Sequence, residues 1–585
     1  MQKEQKLSYY LNKSKSLNIE KYEKQIRVAL LGSFTLNGFE ETLRVKCSEQ
    51  NIGCITYVSG YNQYNQDILD SRSELYKFHP DIVFLILDTR SVFGDLFYFP
   101  YSISDSERKK ITNDKVHNVI DLAKSFTSKT KAKLVVTNLT VPTYSPYGIF
   151  ETKSGYGLQK MVNDFNSMLT AAIEDNEMIY VYDFNGFVTH YGELNMFDFK
   201  QYFLGDIKIS MDYIPYFVHD LLGYIKTMLG LNKKCIVLDL DNTLWGGIIG
   251  EDGYEGIKIG NNPIGRAFIE FQKRLLALHQ RGIILAINSK NNEDDALRVL
   301  RDHPDMILKE EHFASMKINW ADKVQNMKEI ASELNIGLDS IVFFDDDPVN
   351  REYIRSSLPQ VLTVELSQDP SEYAQTLTDM NDFHVWRITK EDINRGKMYL
   401  QDKQRRQLEK SVTNIEDFLK NLDIKLKIKK ADNFTIPRIS QLTIKTNQFN
   451  LTTRRYQEED IKKFSNQDDY LVGCAQVEDK FGDNGITGVF IVKKQKSEWL
   501  IDTFLLSCRI MGRGIEDGMM GYILQKAKKE GISLIRGEFI PTKKNAPAEK
   551  FLSDYGFKKD GNYWVYDLNN NPIKIPAHLQ YSVEE

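Results

Sequence analysis

The sequence predicts an α/β protein of three domains, and three observations predict it. Apolar runs of strand length alternate with helical patterns from Val28 to Val181. A second such series runs from Ile236 to Phe344, with acids and hydroxyls at its strand ends. A third block, after Ile424, sets strands and helices around a glycine-rich turn. Near-continuous apolar strands separated by helices suit parallel sheets covered on both faces.

Composition bounds the class. The 585 residues are enough for three to four domains at roughly 150 residues each. A hydrophobic share of 42% with 27% charged residues is that of a globular protein, and a net charge of −5 leaves no footprint for nucleic acid. The opening Met1-Gln-Lys-Glu-Gln-Lys6 is polar and helical in pattern rather than a leader, and no apolar run approaches the ~18 residues of a membrane span. Cys47, Cys54, Cys235, Cys474 and Cys508 form neither a metal spacing nor a disulfide framework. The expectation is a cytoplasmic protein with no membrane or nucleic-acid partner.

The first block, residues 1–230, holds four strand candidates: Val28-Ala-Leu-Leu31, Ile82-Val-Phe-Leu-Ile-Leu87, Leu134-Val-Val-Thr137 and Met178-Ile-Tyr-Val181. They imply a flavodoxin-like α/β sheet. In position, the turn Gly32-Ser-Phe-Thr35, the strand end Asp88-Thr-Arg90 and the stretch from Asp212 to His219 resemble the blocks of SGNH-type hydrolases. That resemblance implies Ser33 as nucleophile and His219 as its base. A Gly-Asp-Ser elbow is absent, however, and the late Asp-x-x-His is not intact, so the expectation is a non-catalytic domain for packing or carrier docking. His190 and His279 read as surface or core-edge residues.

In the second block, residues 231–390, the run Ile236-Val-Leu238 delivers Asp239-Leu-Asp241-Asn-Thr243. Side chains alternate along a strand, so Asp239 and Asp241 share a face roughly 6 to 7 Å apart. One carboxylate can attack phosphorus while the other handles the leaving group's proton. The plain alternative is a strand-end turn in which Asp and Asn bond their own backbone. Gly282 to Ser289 is a second buried run, ending in a hydroxyl. Ile341 to Asp347 is a third, ending in acids, and Trp320-Ala-Asp-Lys323 opens a helical segment carrying a lysine. In a parallel sheet all four features gather at the carboxyl ends of the strands.

These residues resemble the haloacid dehalogenase superfamily of aspartyl-phosphate phosphatases. Asp239, Asp241 and Thr243 match its first motif, Ser289 its second, Lys323 its third, with Lys317 as a rival, and Asp345 and Asp346 its fourth. Leu238 to Gly253, Asn288-Ser-Lys-Asn291 and Phe344-Asp-Asp-Asp-Pro348 narrow the resemblance to the FkbH-like branch, subfamily IIIC. It implies that Asp239 takes the phosphoryl group and that Asp241 serves as acid and then base. Ser289 and Lys323 would hold phosphoryl oxygens, and Mg²⁺ would bind Asp239, the Asp241 carbonyl, and Asp345 or Asp346. The partners it implies are a small phosphorylated substrate and an acyl carrier protein that receives a glyceryl unit. Where the family has Asp-Asp-Asn-Pro, this chain has Asp345-Asp-Asp-Pro348, which adds negative charge. The stretches joining the motifs are barely long enough for the crossovers of the sheet itself, so a Rossmann-like sheet without a cap domain is expected.

Residues 391–423, with the charged run Asp402 to Lys410, read as a connecting helix. The last block, 424–585, offers the strand Trp499 to Ser507, the turn Arg509-Ile-Met-Gly-Arg-Gly514 and the helix Ile515 to Glu530. The strand Ser533 to Phe539, Asn545 and a helix to Tyr555-Gly-Phe557 follow. Glycines that open a helix let its N–H groups approach phosphate oxygens. This order resembles the acyl-CoA site of GNAT-type N-acetyltransferases and implies an α+β fold. It also implies that Arg509, Gly512, Arg513, Gly514 and Asn545 bind acyl-CoA or the phosphopantetheine of a carrier. Asp479 and Asp483, in the hairpin Glu478 to Gly485, are candidate bases, with an exposed turn as the default. Cys508 is the candidate thiol for an enzyme thioester, against a plain packing role. Cys235 reads as core, and Lys425 to Lys430 as a solvated strand face.

Two functions compete on this reading. One is a Mg²⁺-dependent phosphatase and glyceryl transferase that dephosphorylates a bisphosphorylated three-carbon acid and loads a carrier protein. The other is a sugar or polyol phosphate phosphatase in surface-polysaccharide assembly, with an N-acyltransferase domain.

Overall fold

The computed structural model describes residues 4–393, 401, 405, 408 and 414–584. The chain divides into two compact units, 2–229 and 230–585. Among the described residues no helix is long and apolar enough to cross a membrane.

The first unit is a parallel sheet of β1 (Lys24–Gly32), β2 (Ile52–Val58), β3 (Ile82–Ile86), β4 (Lys133–Thr137) and β5 (Ile179–Tyr182), ordered β2-β1-β3-β4-β5. β3 and β4 are buried throughout, as their unbroken apolar runs require. One face packs Ala29, Leu31, Val83 and Leu85 against the helices Asp105–Lys129 and Leu158–Ile173. The first of these starts at Ser104, which forms a capping box with Glu107. Across the sheet, Phe84 meets Tyr224 of the helix Ile214–Met228, which in turn packs Phe217 against Phe39. The strand order reverses between β1 and β3, which makes this the topological switch point of the sheet.

The second unit holds two sheets. The first contains β6 (Cys235–Leu238), β7 (Ile284–Ser289), β8 (Phe313–Ile318), β9 (Ile341–Phe344) and β10 (Leu362–Thr363), all parallel in the order β10-β9-β6-β7-β8. Central β6 is buried on both faces: Ile236 and Leu238 join the core of Phe271 and Leu275, while Cys235 and Val237 join that of Met327 and Ile330. Each such aliphatic side chain contributes ~1.5–3 kcal/mol on burial. Among the described residues, the β6–β7 connection carries the helices Ile249–Gly256 and Pro263–Gln280, and the β7–β8 connection the helix Glu293–Asp302. Neither carries a further sheet that would serve as a cap.

The last sheet is mixed and contains β11 (Lys425–Lys430), β12 (Phe449–Asn450), β13 (Tyr470–Asp479), β14 (Gly482–Lys494), β15 (Glu498–Leu506), β16 (Leu534–Glu538), β17 (Lys558–Asp560), β18 (Tyr563–Asp567) and β19 (Gln580–Glu584). Leu426 and Ile428 of β11 are buried, while Lys427 and Lys429 face Glu584 of β19. Most of the charged run Asp402 to Lys410 lies outside the described residues. Contacts join the two sheets of this unit: Lys544 pairs with Asp339, and the Asn335 amide donates to the Cys508 carbonyl.

Candidate functional site

Every phosphatase candidate but Lys317, which lies in β8, stands at the carboxyl ends of β6, β7 and β9 or at the head of the helix Lys323–Glu333. Asp239 follows β6 and its N–H donates to the Phe344 carbonyl at 2.9 Å, which fixes the ends of β6 and β9 side by side. Carboxylate oxygens of Asp239, Asp345 and Asp346 lie within 4.8 Å of one another. Lys323 is the first residue of its helix, which starts where Asp322 accepts from the Val324 and Gln325 N–H groups. Its ammonium sits 2.6 Å from Asp345 Oδ2 and 3.1 Å from Asp239 Oδ1. Burial works against the Lys323 charge, but Asp239 and Asp345 outweigh it and hold the group above the ordinary lysine value. Lys317, the rival, points elsewhere, to Glu333 at 2.5 Å and Glu329 at 3.0 Å.

Three carboxylates around one ammonium leave an excess of negative charge in a poorly solvated place. Burial and its acidic neighbours push Asp346 up to about 7, and burial with Asp239 nearby raises Asp345. Asp239 Oδ1 is buried and makes no properly directed hydrogen bond. An oxygen-lined, cation-deficient cluster of this kind fits Mg²⁺. Asp347, the additional acid, is not part of the cluster: it caps the helix Pro348–Ser357 by accepting from the Val349 N–H.

Asp241 stands apart from this cluster. Trp245 Nε1 and the Ile249 N–H donate to its Oδ1 at 2.9 and 3.1 Å, and Asn291 Nδ2 donates to its Oδ2 at 2.9 Å. Burial nonetheless prevails over those three donors, so its carboxyl is raised above the ordinary aspartate value. The same Asn291 amide reaches Ser289 Oγ at 3.2 Å. Thr243 is fully buried, and its hydroxyl accepts from the Asp346 N–H at 3.2 Å, bracing the β6 and β9 loops against each other. Sequence reasoning gave no role to Asn291 or Trp245, although both lie inside the motifs it used. It also passed over Arg351, which donates to the Asp345 and Asp346 carbonyls at 2.9 and 2.6 Å.

Several of the C-terminal candidates are engaged within the chain. β15 and β16 pair in parallel only from Glu498–Leu534 to Ile501–Gly537 and then diverge. β12 lies in the gap between them. Phe449 and Asn450 pair with Leu506 and Leu505, the Leu451 N–H donates to the Phe504 carbonyl, and the Ile540 N–H donates to the Leu451 carbonyl. Asn545, fully buried, is spent on holding this segment: its amide donates to the Asn450 and Ile540 carbonyls at 2.9 and 3.0 Å.

The turn itself is also covered. Gly512 and Gly514 have φ of +73° and +78°, which explains the glycines. The Gly512 N–H, however, already donates to Glu516 Oε1 at 3.2 Å, and a Cβ on Gly514 would meet Pro576 at 3.0 Å. Arg513 lies 3.6 Å from Asp479, which is itself gripped by Arg405 at 2.6 and 2.8 Å. Arg509 Nε lies 3.4 Å from Ser507 Oγ. The backbone edge of β15 near Leu505 and the Asn545 amide are therefore already bonded within the chain. Asp479 is held as an ion-pair partner of Arg405. Cys508 is half-buried in a helical turn, and burial pushes the Cys235 thiol up.

In the first unit Ser33 Oγ accepts from the Asp88 N–H at 2.8 Å, while His219 Nδ1 lies 3.7 Å from Glu4. Each of the proposed hydrolase pair thus has another partner. His190 packs edge-on against Tyr191, and His279 Nδ1 meets the Ile283 carbonyl at 3.2 Å.

Residues 27–226 match the family model described as FkbH, N-terminal domain. The chain is similar to the crystal structure of an N-terminal part of the protein BF1531 from Bacteroides fragilis, which contains a phosphatase domain and is complexed with Mg. The two are 28% identical over 66% of this chain and 100% of that one, with a TM-score of 0.61. These findings support a phosphatase. Two acetyltransferases also align with part of the chain. One, of the GNAT family from Staphylococcus aureus, is 12% identical over 25% of this chain and 99% of its own, with a TM-score of 0.21. The other, the ribosomal-protein-S18-alanine N-acetyltransferase from Escherichia coli, is 12% identical over 24% and 89%, with a TM-score of 0.19. No curated protein matches the chain.

Proposed function

We propose that the chain is a Mg²⁺-dependent phosphatase that works through an aspartyl phosphate on Asp239. The observation that carries the reading is the cluster of Asp239, Asp345 and Asp346 around Lys323, with Asp241 held separately by three donors. An Asp239 oxygen attacks phosphorus as the bond to the leaving oxygen breaks, and Asp241 gives that oxygen a proton. Asp241 then takes a proton from a water that attacks the aspartyl phosphate, which restores Asp239 and frees phosphate. Its raised pKa suits the first step, and its three donors suit the second. Lys323 and Ser289 hold phosphoryl oxygens as charge moves onto them. Asp239, Asp345 and Asp346 would hold Mg²⁺, which neutralises charge on the phosphoryl oxygens.

The substrate we propose is a bisphosphorylated three-carbon acid whose glyceryl unit passes to an acyl carrier protein. The resemblance of the motifs to the FkbH-like branch supports it. Because β12 fills the C-terminal gap, a carrier's arm would approach the uncapped face of the phosphatase block instead. A second reading, a sugar or polyol phosphate, is favoured by Trp320. Its indole N–H is held by Asn292 Oδ1 at 3.1 Å while 71% of the residue stays exposed, just before Lys323, offering a flat face to a ring.

The deciding experiment incubates the chain and Mg²⁺ with each phosphoester, follows phosphate release, and takes the intact mass of a candidate carrier protein. A carrier gaining a glyceryl unit supports the first reading. Phosphate release from sugar phosphates with an unchanged carrier supports the second, and no release from either class overturns the phosphatase.

A further inference from the structure

Exposed aromatic segments gather at the carboxyl end of the first unit's sheet, the end where doubly wound folds otherwise keep a crevice for a ligand. Tyr98 and Phe99 follow β3, residues 144–150 follow β4, and the short helix Phe199–Gly205 follows β5. No residue of that helix is buried. Yet it is built of rings: Phe199 and Phe203, one turn apart, stack at 6.5 Å, and Tyr202 meets Phe203 edge-on at 5.4 Å. Seven residues are too few for a helix to persist in water unaided, so its apolar side needs cover.

Ring contacts join the segments into one surface. The Arg90 guanidinium lies 6.0 Å from the Tyr98 ring centre and 5.2 Å from those of Phe199 and Tyr202, which ties the segment after β3 to the helix after β5. Tyr98 meets Tyr144 at 6.3 Å, and Tyr101 stacks on Tyr147, so the loop after β4 is attached as well. Tyr147 in turn packs against Phe150 at 6.0 Å. The surface is thus held in place before any partner arrives, which lowers the ordering cost of association.

Size and charge select the partner. Ile149 is 98% exposed, Leu204 79%, Phe203 76% and Phe99 66%. With the other exposed rings of these segments they offer roughly 1,000 Å² of largely apolar area, at ~200 Å² for a fully exposed large side chain. The largest patch on a typical monomer is roughly 300–600 Å², and a stable interface takes about 800 Å² from each side. Within residues 98–99, 144–150 and 199–204 the one charged side chain is Lys200. A face so poor in charge gives an acidic or basic partner little to grip. A two-fold contact sets the patch against itself and needs no complementary charge, and interfaces between identical chains are the more apolar class. A permanently exposed apolar face also requires a partner present wherever the chain is, and a second copy meets that condition. We propose that this face joins two copies of the chain about a two-fold axis.

The test is sedimentation velocity of the full chain from submicromolar to tens of micromolar concentration. It should show a closed, reversible dimer of twice the 67.8 kDa of the chain. Ile149→Lys combined with Phe203→Lys should weaken dimerisation by at least about 100-fold, because like charges then face each other across the contact. Both sites are exposed, so the fold is spared. Phe434→Lys, at a residue 92% exposed in the last block, should leave the dimer unchanged. Hydrogen exchange should show the dimer protecting the segments after β3, β4 and β5 relative to the diluted monomer. A monomer at every concentration, open-ended assembly, a dimer that survives the two lysines, equal loss with Phe434→Lys, or protection confined to other segments would each overturn the proposal. So would a monomer that binds phosphatidylcholine vesicles and loses them with the two lysines, which would make the face a membrane contact.

Discussion

The side-chain amide of Asn291 lies 2.9 Å from Asp241 Oδ2 and ties that carboxylate to the loop that carries Ser289. Asn291, Trp245 and the Ile249 N–H all donate to Asp241 and favour its charged form, while burial favours the neutral one and wins. Asn291→Leu removes a donor worth ~1.5–3 kcal/mol to a charged acceptor, so the Asp241 pKa should rise by about one unit or more. A proton donor is lost as pH rises through its pKa. The alkaline limb of kcat/KM for an alkyl phosphate should therefore move to higher pH in this variant. p-Nitrophenyl phosphate, whose leaving group needs little protonation, should show no such limb. pH–rate profiles of both substrates check this; equal loss at every pH would mark Asn291 as merely structural.

Asp239→Asn is nearly isosteric but cannot attack phosphorus. Phosphate release should fall by at least about 10⁴-fold with the melting temperature little changed, since removing a nucleophile removes the pathway itself. Asp346→Asn should raise the Mg²⁺ concentration needed for half-maximal rate. In the unchanged protein the metal must displace a proton from a carboxyl pushed up to about 7. Mg²⁺ should therefore bind more tightly at pH 8 than at pH 6, with a proton released on binding. Metal titrations at the two pH values check the sign.

Lys323 and Lys317 were indistinguishable by spacing and are separated by geometry. Lys323→Met should cost at least about 10²-fold in phosphate release, the scale of losing one preorganised stabilising group. Lys317→Met breaks a partly exposed pair with Glu329 and Glu333 and should leave the rate within about twofold, at a stability cost of under ~1 kcal/mol. Purified variants assayed at saturating Mg²⁺ settle which lysine acts.

Much of this was legible because buried parallel strands announce themselves. The runs at Val28, Ile82, Ile236, Ile284 and Ile341 are apolar on both faces, and the candidate phosphatase residues stand at the carboxyl ends of the last three. β2 was not legible: its last four residues are half-exposed at a sheet edge and its sequence, Ile52-Gly-Cys-Ile-Thr-Tyr-Val58, lacks a clear period. Nor did local sequence show that Lys208 would meet Asp88, or that Asn545 would serve a strand ninety-odd residues earlier, because those pairings depend on tertiary approach. The glycine turn was legible only in part, for a related reason. Its positive φ values were foreseeable, but the acid that folds back onto Gly512 and the strand that enters the gap were not.

The filled gap yields the last prediction. Asn545 sits at 0% exposure, donating to two carbonyls and accepting from the Thr542 N–H at 2.7 Å. If its task is to hold Phe449 to Leu451 between β15 and the Ile540 segment, Asn545→Ala strands buried backbone groups and should destabilise the protein by about 2–3 kcal/mol. That loss would appear as a lower melting temperature without any ligand present. A cofactor-binding Asn545 would do the opposite, leaving the free protein's melting temperature nearly unchanged and weakening only the complex. Acetyl-CoA should accordingly give no saturable heat and no rise in melting temperature with the unchanged chain, whereas a ligand present at 100 times its Kd would add about 2.7 kcal/mol. A clear acetyl-CoA-dependent rise would mean that the Phe449 segment leaves the gap, and that the C-terminal block binds a thioester after all.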